Sequence, residues 1–237
     1  MRVLKLCLLT ALSIICAGIF GYILNYGAPG LAKATPAFVS NVGDAKSETD
    51  VSQATQTFIL DSSRSKFMAR AFSGGLLWFK GHDHFVAVRE FTGEARFTPD
   101  TITPASLEII AKAASLVETR DVFTEPQKKI INQELREIVL LPDQYPDIIF
   151  KSTNVSGSKK GTNQYDLDIV GALTLHGETR TIKIPTIVTV NGNELRAQGE
   201  FSINRSDFKV KATSALHGMI RVRDRVKFEF DIVGHQR

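Results

Sequence analysis

The chain has 237 residues, of which 43% are hydrophobic and 23% are charged. These fractions lie near the averages for globular proteins, so the composition excludes a collagen-like chain, a largely disordered chain and a polytopic membrane protein. The chain has 29 Lys and Arg against 25 Asp and Glu, which leaves a formal charge of only +4. Because so small a charge gives no basis for a phosphate-binding surface, we expect no nucleic-acid partner.

The N terminus contains a long uninterrupted apolar run. Residues 6–24 carry no charge and follow Arg2 and Lys5. As a helix, this run is long enough to cross the roughly 30 Å of hydrocarbon in a bilayer, and the preceding positive charges place the rest of the chain outside the cytoplasm. We predict that residues 1–24 form an apolar helix that is an uncleaved signal anchor or, if it is cut near Ala32-Lys33-Ala34, a signal peptide. The folded part is then exported and lies on the periplasmic or cell-surface side of the cytoplasmic membrane, anchored to it by residues 6–24.

The next segment has the composition of a linker. Residues 25–57 are rich in small and polar residues and have no sustained apolar periodicity, so we predict a flexible linker. One folded domain is expected over residues 58–237. Both cysteines, Cys7 and Cys16, lie in the apolar run, which excludes disulfides, zinc–thiolate sites and a cysteine nucleophile from this domain.

Apolar residues in the domain recur at every second position. The alternation is clear over 165–176, 194–204 and 222–232, and weaker over 57–60, 66–72, 85–98 with a bend at Gly93, 106–116, 148–155 and 179–190. This period predicts half-buried antiparallel strands, and His176-Gly177-Glu178 and Asn191-Gly192-Asn193 have the composition of tight turns. About nine such strands fit an all-β barrel or sandwich.

One segment has helical spacing instead. Its apolar residues are Ile130, Ile131, Leu135, Ile138 and Val139. Thr124 and Gln127 have the spacing of a capping box, and Pro142 is a helix-ending residue. The pattern predicts one amphipathic helix over residues 125–140, packed on the sheet or covering one end of a barrel.

Several motifs in this domain occur together, in order, in one known family. The segment 145–153 reads Tyr-Pro-Asp-Ile-Ile-Phe-Lys-Ser-Thr, the segment 171–177 reads Gly-Ala-Leu-Thr-Leu-His-Gly with Thr179 after it, and the segment 203–208 reads Ile-Asn-Arg-Ser-Asp-Phe. With the looser motifs Phe91-Thr92-Gly93 and Arg120-Asp121, these segments resemble the YceI-like family over roughly residues 58–234. Lys209 and Glu178 depart from the family pattern, which commonly has glycine and an aliphatic residue there.

The resemblance implies an extended, lipocalin-like antiparallel β-barrel of about eight strands with one amphipathic helix. It also implies a binding protein without catalysis, which holds a long isoprenoid lipid such as a polyprenyl or quinone tail and needs no other cofactor or metal. The oligomeric state is not predicted. The strand alternation assigns these residues to the apolar interior as candidate ligand-lining positions: Leu107, Ile109, Leu167, Ile169, Leu173, Leu195, Phe201, Phe228 and Phe230. Alternation alone does not distinguish residues that line a ligand cavity from residues that fill a core.

Three polar residues are candidates for the mouth of such a cavity. His82 and His84 are two positions apart on an extended segment, which places both rings on one side of it, ~6.6 Å apart along the chain. We predict polar groups at a pocket mouth; the alternative is a metal-dependent or hydrolytic enzyme that would use the same region, with His176 and His217 as further ligands. Arg205 either pairs with Asp207 to anchor the loop 209–220, or meets an anionic head group together with Lys209 and Lys211.

Overall fold

The computed structural model describes residues 54–237, apart from Leu216 and Gly218. The predicted apolar helix at residues 1–24 and residues 25–53 of the predicted linker lie outside the described residues. The last two linker positions, Gln56 and Thr57, already belong to the first strand. Across the described part of the chain, no helix is long and apolar enough to span a bilayer.

The described residues form eleven strands and one helix. The strands are β1 Gln56–Gly74, β2 His84–Val88, β3 Phe91–Thr98, β4 Ile102–Lys112, β5 Leu116–Glu118, β6 Asp147–Lys159, β7 Gln164–Leu175, β8 Glu178–Asn191, β9 Glu194–Asn204, β10 Ser214–Ala215 and β11 Ile220–Gln236. The helix α1 spans Glu125–Glu134 and continues as a π-helical turn over Leu135–Leu140. These bounds agree with the helix predicted over residues 125–140.

Eight of the strands close into an antiparallel barrel. They pair in the order β1, β3, β4, β6, β7, β8, β9, β11, and β11 pairs with β1 to complete the ring. The short strands β2 and β5 extend the sheet beyond β3 and β4, and β10 pairs with the start of β11. The predicted all-β barrel of about eight strands is therefore confirmed.

The strand β1 corrects the prediction of two separate strands over 57–60 and 66–72, because it is continuous over both segments. Five residue steps along β1, from Asp61 to Lys66, pair with two steps along β11, from Val233 to Asp231. The extra residues form a bulge in which the Asp61 carboxylate accepts the Ser63 N–H at 2.9 Å. Since the excess is odd, the inward positions change from even-numbered to odd-numbered residues along the same strand.

A second correction concerns the predicted strand 85–98, which divides into β2 and β3 at Arg89 and Glu90 rather than bending at Gly93. The segment 106–116 breaks at the same level, where the Lys112 N–H donates to the Glu90 carbonyl at 2.9 Å. Gly93 is required for another reason: a Cβ there would lie 2.4 Å from the Glu108 carbonyl oxygen of β4. The glycine therefore permits close approach of two strands.

The helix lies over one end of the barrel, here called the helix end. It begins where Gln127 Oε1 accepts the Thr124 N–H at 2.9 Å, and it is joined to β5 because Asn132 Oδ1 accepts the Glu118 N–H at 2.8 Å. Its apolar residues do not all face the barrel. Ile130 and Ile138 are exposed, because the side chains that reach the interior are the neighbouring Ile131, Leu135, Val139 and Leu140.

Because the barrel is closed, two adjacent residues of β1 should contribute very differently to stability. Phe58 is completely buried, whereas the Ile59 side chain points outward and is 42% exposed. We expect Phe58→Ala to lower the free energy of unfolding by ~3–5 kcal/mol, because it removes a buried ring and leaves a cavity. Ile59→Ala should cost less than about 1 kcal/mol. Equilibrium denaturation of both variants checks this, and equal losses would contradict the assigned strand faces.

Candidate functional site

The barrel interior contains two cavities. The helix-end cavity has a volume of about 400 Å³ and lies beneath α1 and the loops of that end. The far cavity has a volume of about 110 Å³ and lies towards the end of the barrel where β1 begins. Phe67, Ile148, Leu173 and Phe201 line both, so the two cavities are neighbours within the interior.

The far cavity is almost entirely apolar. Its lining comes from every strand of the closed ring, and its only polar members are Arg96, Ser106 and Thr186. This composition follows from the period-two pattern, because each strand turns its aliphatic residues inward. An apolar cavity of this kind has no partners for water and favours a hydrocarbon group.

The helix-end cavity combines an apolar wall with polar residues near its opening. The polar lining residues are Ser73, His82, His84, Glu134, Arg205, Lys211, Thr213, Ser214 and Arg221. His82, Lys211 and Arg221 are also exposed on the protein surface, so the cavity reaches solvent at this end. The interior therefore becomes more apolar from the helix end towards the far cavity.

Four phenylalanine rings stand between the two cavities. The Phe201 and Phe228 rings stack with centroids 4.9 Å apart, and Phe67 contacts Phe228 and Phe230 at 6.2 and 6.4 Å. Phe230 has room because residue 199 is glycine: a Cβ there would lie 2.7 Å from the Phe230 ring. Together with Ile148 and Leu173, these side chains lie where the two cavities meet.

The nine predicted lining residues all lie on cavity walls. Those in the far cavity alone are Leu107, Ile109, Leu167, Ile169, Leu195 and Phe230. Leu173 and Phe201 line both cavities, and Phe228 lines the helix-end cavity. Their contact with a ligand stays a prediction. The sequence analysis did not identify Phe67 as a lining residue, because the bulge in β1 changes which positions of that strand point inward. The alternation of Phe67, Ala69 and Ala71 beyond the bulge was the available signal.

His84 is held by a buried carboxylate that sequence reasoning did not identify. Its Nδ1 lies 2.9 Å from Glu118 Oε2, and its ring stacks on Phe123 with centroids 5.3 Å apart. Burial by itself raises the pKa of Glu118, but hydrogen bonds from His84 and from the Arg120 and Phe85 N–H groups outweigh it, so this pKa lies below its ordinary value. Since an ionised carboxylate only accepts, the His84 Nδ1–H is the donor of this hydrogen bond, and Nε2 is the ring nitrogen left for another partner.

The other histidines do not join His84 in one cluster. His82 packs edge-on against Phe123, with 5.7 Å between the centroids, and the Asp83 carboxylate accepts the Ser73 N–H at 2.9 Å. His176 packs on Tyr145, where burial and the nearby Lys211 charge lower its pKa. Among the described residues, no three His, Cys, Asp or Glu side chains lie close enough together to hold a metal ion.

The predicted pairing of Arg205 with Asp207 is wrong. The carboxylate nearest to Arg205 is Asp224, at 3.9 Å, and Asp207 accepts from the Asn204 amide at 3.3 Å. A 3₁₀ turn over Arg205–Phe208 separates the two side chains that sequence proximity suggested. Arg205 does anchor the following loop, because its guanidinium donates to the Val210 carbonyl at 2.8 Å, while its Nε is buried without a hydrogen-bond partner.

The fold defines a class: a closed eight-stranded antiparallel barrel with an apolar interior that opens to solvent at one end. The sequence profile of the YceI-like domain matches residues 58–234 of this chain. The chain therefore belongs to the YceI-like family. No curated protein matched the chain in the search.

Two solved structures share the fold. BcnA of Burkholderia cenocepacia is 22% identical, with a TM-score of 0.56, and the match covers 73% of this chain and 98% of BcnA. A polyisoprenoid binding domain from Saccharophagus degradans, implicated in plant cell wall breakdown, is 12% identical, with a TM-score of 0.53. That match covers 78% of this chain and 100% of the domain. At these identities the similarity establishes the barrel architecture.

The His84–Glu118 pair predicts a pH dependence of stability. At neutral pH we expect Glu118→Gln to lower the free energy of unfolding by ~1–3 kcal/mol, because buried donors lose an ionised acceptor. The pKa of Glu118 is lowered in the folded state. The difference in unfolding free energy between the wild type and Glu118→Gln should therefore be at its full size above the ordinary carboxyl pKa of about 4.3. It should disappear as the pH falls through the lower pKa that Glu118 has in the folded state.

Denaturation curves of the two proteins across this pH range measure the difference. Glu108→Gln is the control, because Glu108 lies on the exposed face of β4, where it pairs with Lys151 at 3.6 Å and faces Glu94 on β3. A difference between wild type and Glu118→Gln that does not change with pH would contradict the role of the ionised carboxylate.

Proposed function

We propose that the chain is an extracytoplasmic binding protein that holds one long-chain amphiphile, of the isoprenoid type, in the barrel interior. The observation that carries this proposal is the end-to-end arrangement of the two cavities with a polar opening at one end. A slender hydrocarbon tail fits the apolar far cavity, and its head group fits among the polar residues of the helix-end cavity.

The shape of the interior favours a long, thin ligand over a compact one. The far cavity offers only about 110 Å³, and the four phenylalanine rings restrict the passage into it. An unbranched or methyl-branched chain has a small cross-section and gains free energy from each buried CH₂ group, ~0.8 kcal/mol, without needing hydrogen bonds. A polyprenyl or quinone tail has these properties.

The polar opening supports recognition of a head group. His84 Nε2 can form a hydrogen bond with a hydroxyl, and Arg205, Lys211 and Arg221 can donate to carbonyl or phosphate oxygens. The structurally similar Saccharophagus degradans protein is a polyisoprenoid binding domain, which agrees with this ligand class. Binding rather than catalysis is proposed, because the interior presents apolar contact along most of its length.

The location outside the cytoplasmic membrane rests on residues 1–24. Their charge and hydropathy pattern supports export, with residues 6–24 as a membrane anchor and the barrel on the periplasmic or cell-surface side. Such an anchor would keep the barrel attached to a bilayer that contains hydrophobic ligands.

Filling the cavities tests the proposal. Ala71 lines the helix-end cavity and Ala197 lines the far cavity, so a phenylalanine at either position would occupy ligand space. We expect Ala71→Phe and Ala197→Phe to reduce the amount of bound lipid by about tenfold or more, because overpacking costs ~1–3 kcal/mol. Ala172→Phe is the matched control, since Ala172 lies on β7 beside Lys151 and Thr181, on the outer face.

The measurement is mass spectrometry of the full chain purified from membranes, under native and then denaturing conditions. The wild type and Ala172→Phe should carry a lipid that dissociates on denaturation. Bound lipid that is unaffected by both cavity-filling changes, or a wild type that never carries lipid, would contradict the proposal.

A further inference from the structure

The helix end of the barrel carries an exposed group of large apolar side chains, here called the apolar tip. It consists of Leu76, Trp78 and Phe79 in the loop between β1 and β2, and Met219 immediately before β11. Their exposed fractions are 78%, 54%, 63% and 39%. Exposed apolar residues are ordinary when scattered, but a contiguous group of this size marks an interaction site.

Hydrogen bonds give the apolar tip a defined shape. The Leu77 N–H donates to the Met219 carbonyl at 2.9 Å and so joins the two loops. A 3₁₀ turn over Trp78–Lys80 places the Trp78 and Phe79 rings edge to face, 6.4 Å apart. Asp83 and Ser73 close the base of the loop. The rings therefore point outward from an ordered turn instead of packing into the barrel.

The apolar tip borders the opening of the helix-end cavity. Ser73 and His82, which flank the β1–β2 loop, both line that cavity. Ile220 and Arg221, which follow Met219, line it as well. Any surface that covers the tip is consequently brought against the opening through which a ligand would pass.

Three positively charged side chains lie around the tip. Lys80 lies in the same loop, and Lys211 and Arg221 lie at the cavity opening; all three are exposed. Within the part of the chain that the structure describes, none of them forms an ion pair, although most other regions of the barrel surface pair their cations with carboxylates. An apolar group with unpaired cations beside it is complementary to a surface of anionic lipid.

We propose that the apolar tip inserts into the interface of an anionic bilayer and brings the cavity opening against the lipids. A membrane fits the tip better than a protein does, because four side chains offer much less than the ~800 Å² per partner of a stable protein interface. Tryptophan also favours the boundary between water and hydrocarbon. This inference rests on the proposed lipid-binding function, since it supplies the route by which lipid enters and leaves.

Trp78 is the only tryptophan of the chain and reports on the tip directly. The full chain is reconstituted into vesicles of phosphatidylethanolamine and phosphatidylglycerol, and its tryptophan fluorescence is measured with lipids brominated on the acyl chains and with acrylamide in the water. We expect quenching by the brominated lipids and protection from acrylamide. Because the probe is at residue 78, quenching reports the depth of the tip itself and not that of residues 1–24.

Two variants keep the probe and change its surroundings. Leu76→Ser combined with Phe79→Ser should abolish quenching by brominated lipid, and Lys80→Gln should lower the ratio of docked to undocked tip about fivefold. Replacing phosphatidylglycerol with phosphatidylcholine should also lower the ratio of docked to undocked tip, because it removes the anionic lipid. The control is Ile187→Ser, which removes a 44% exposed isoleucine from β8 and should have no effect.

Lipid content, measured separately by native mass spectrometry, distinguishes this inference from the proposed function. If the chain carries lipid but acrylamide alone quenches Trp78, membrane docking is refuted while lipid binding stands. If the chain self-associates and Trp78 is protected from both quenchers, membrane docking is also refuted. The tip would then be a contact between copies of the chain. Quenching by brominated lipid in a chain that never carries lipid would support docking and refute the proposed function.

Discussion

The antiparallel pairing of β1 with β11 closes the sheet, and the interior exists because of that closure. It joins the first and last long strands of the described chain, from Phe58 opposite Gln236 to Gly74 opposite Arg221. Without it the two strands would expose unpaired backbone groups, and the inward faces of all eight strands would lose their opposite wall. The bulge after Asp61 is part of this pairing, because it sets which residues of β1 point inward beyond it.

Closure also explains the gradient of polarity along the interior. The far half is lined mainly by apolar side chains from regular strands. At the helix end, short strands, the helix and a 3₁₀ turn form the wall, and they contribute the polar residues His84, Glu134 and Arg205. Phe67, Phe201, Phe228 and Phe230 lie between these regions. A ligand with an apolar tail and a polar head meets matching surroundings only in one orientation, head towards the helix end. The exposed apolar tip lies at the same end, where such a ligand would enter.

Local patterns in the sequence were sufficient to predict most strands, the helix and the barrel, because alternation and capping depend on near neighbours. They were sufficient for the inward faces of β7, β9 and β11, whose period is unbroken. Phe67 was missed because an irregular bulge changes the phase, and Glu118 because it is 34 residues from His84. The departures Lys209 and Glu178 also have a joint explanation that the sequence conceals: Lys209 adopts a positive φ of 54°, as glycine would, and its ammonium group pairs with Glu178.

The central claim is that one long chain occupies both cavities and passes the four phenylalanine rings. Photochemical cross-linking of the full chain with an isoprenoid alcohol that carries a diazirine at its terminal unit tests this most directly. We expect the diazirine to label residues that line the far cavity, such as Leu167 and Leu195. The unmodified alcohol should reduce this labelling by competing for the same cavity. Labelling confined to the outer surface, or to the helix-end cavity for every chain length, would contradict the central claim.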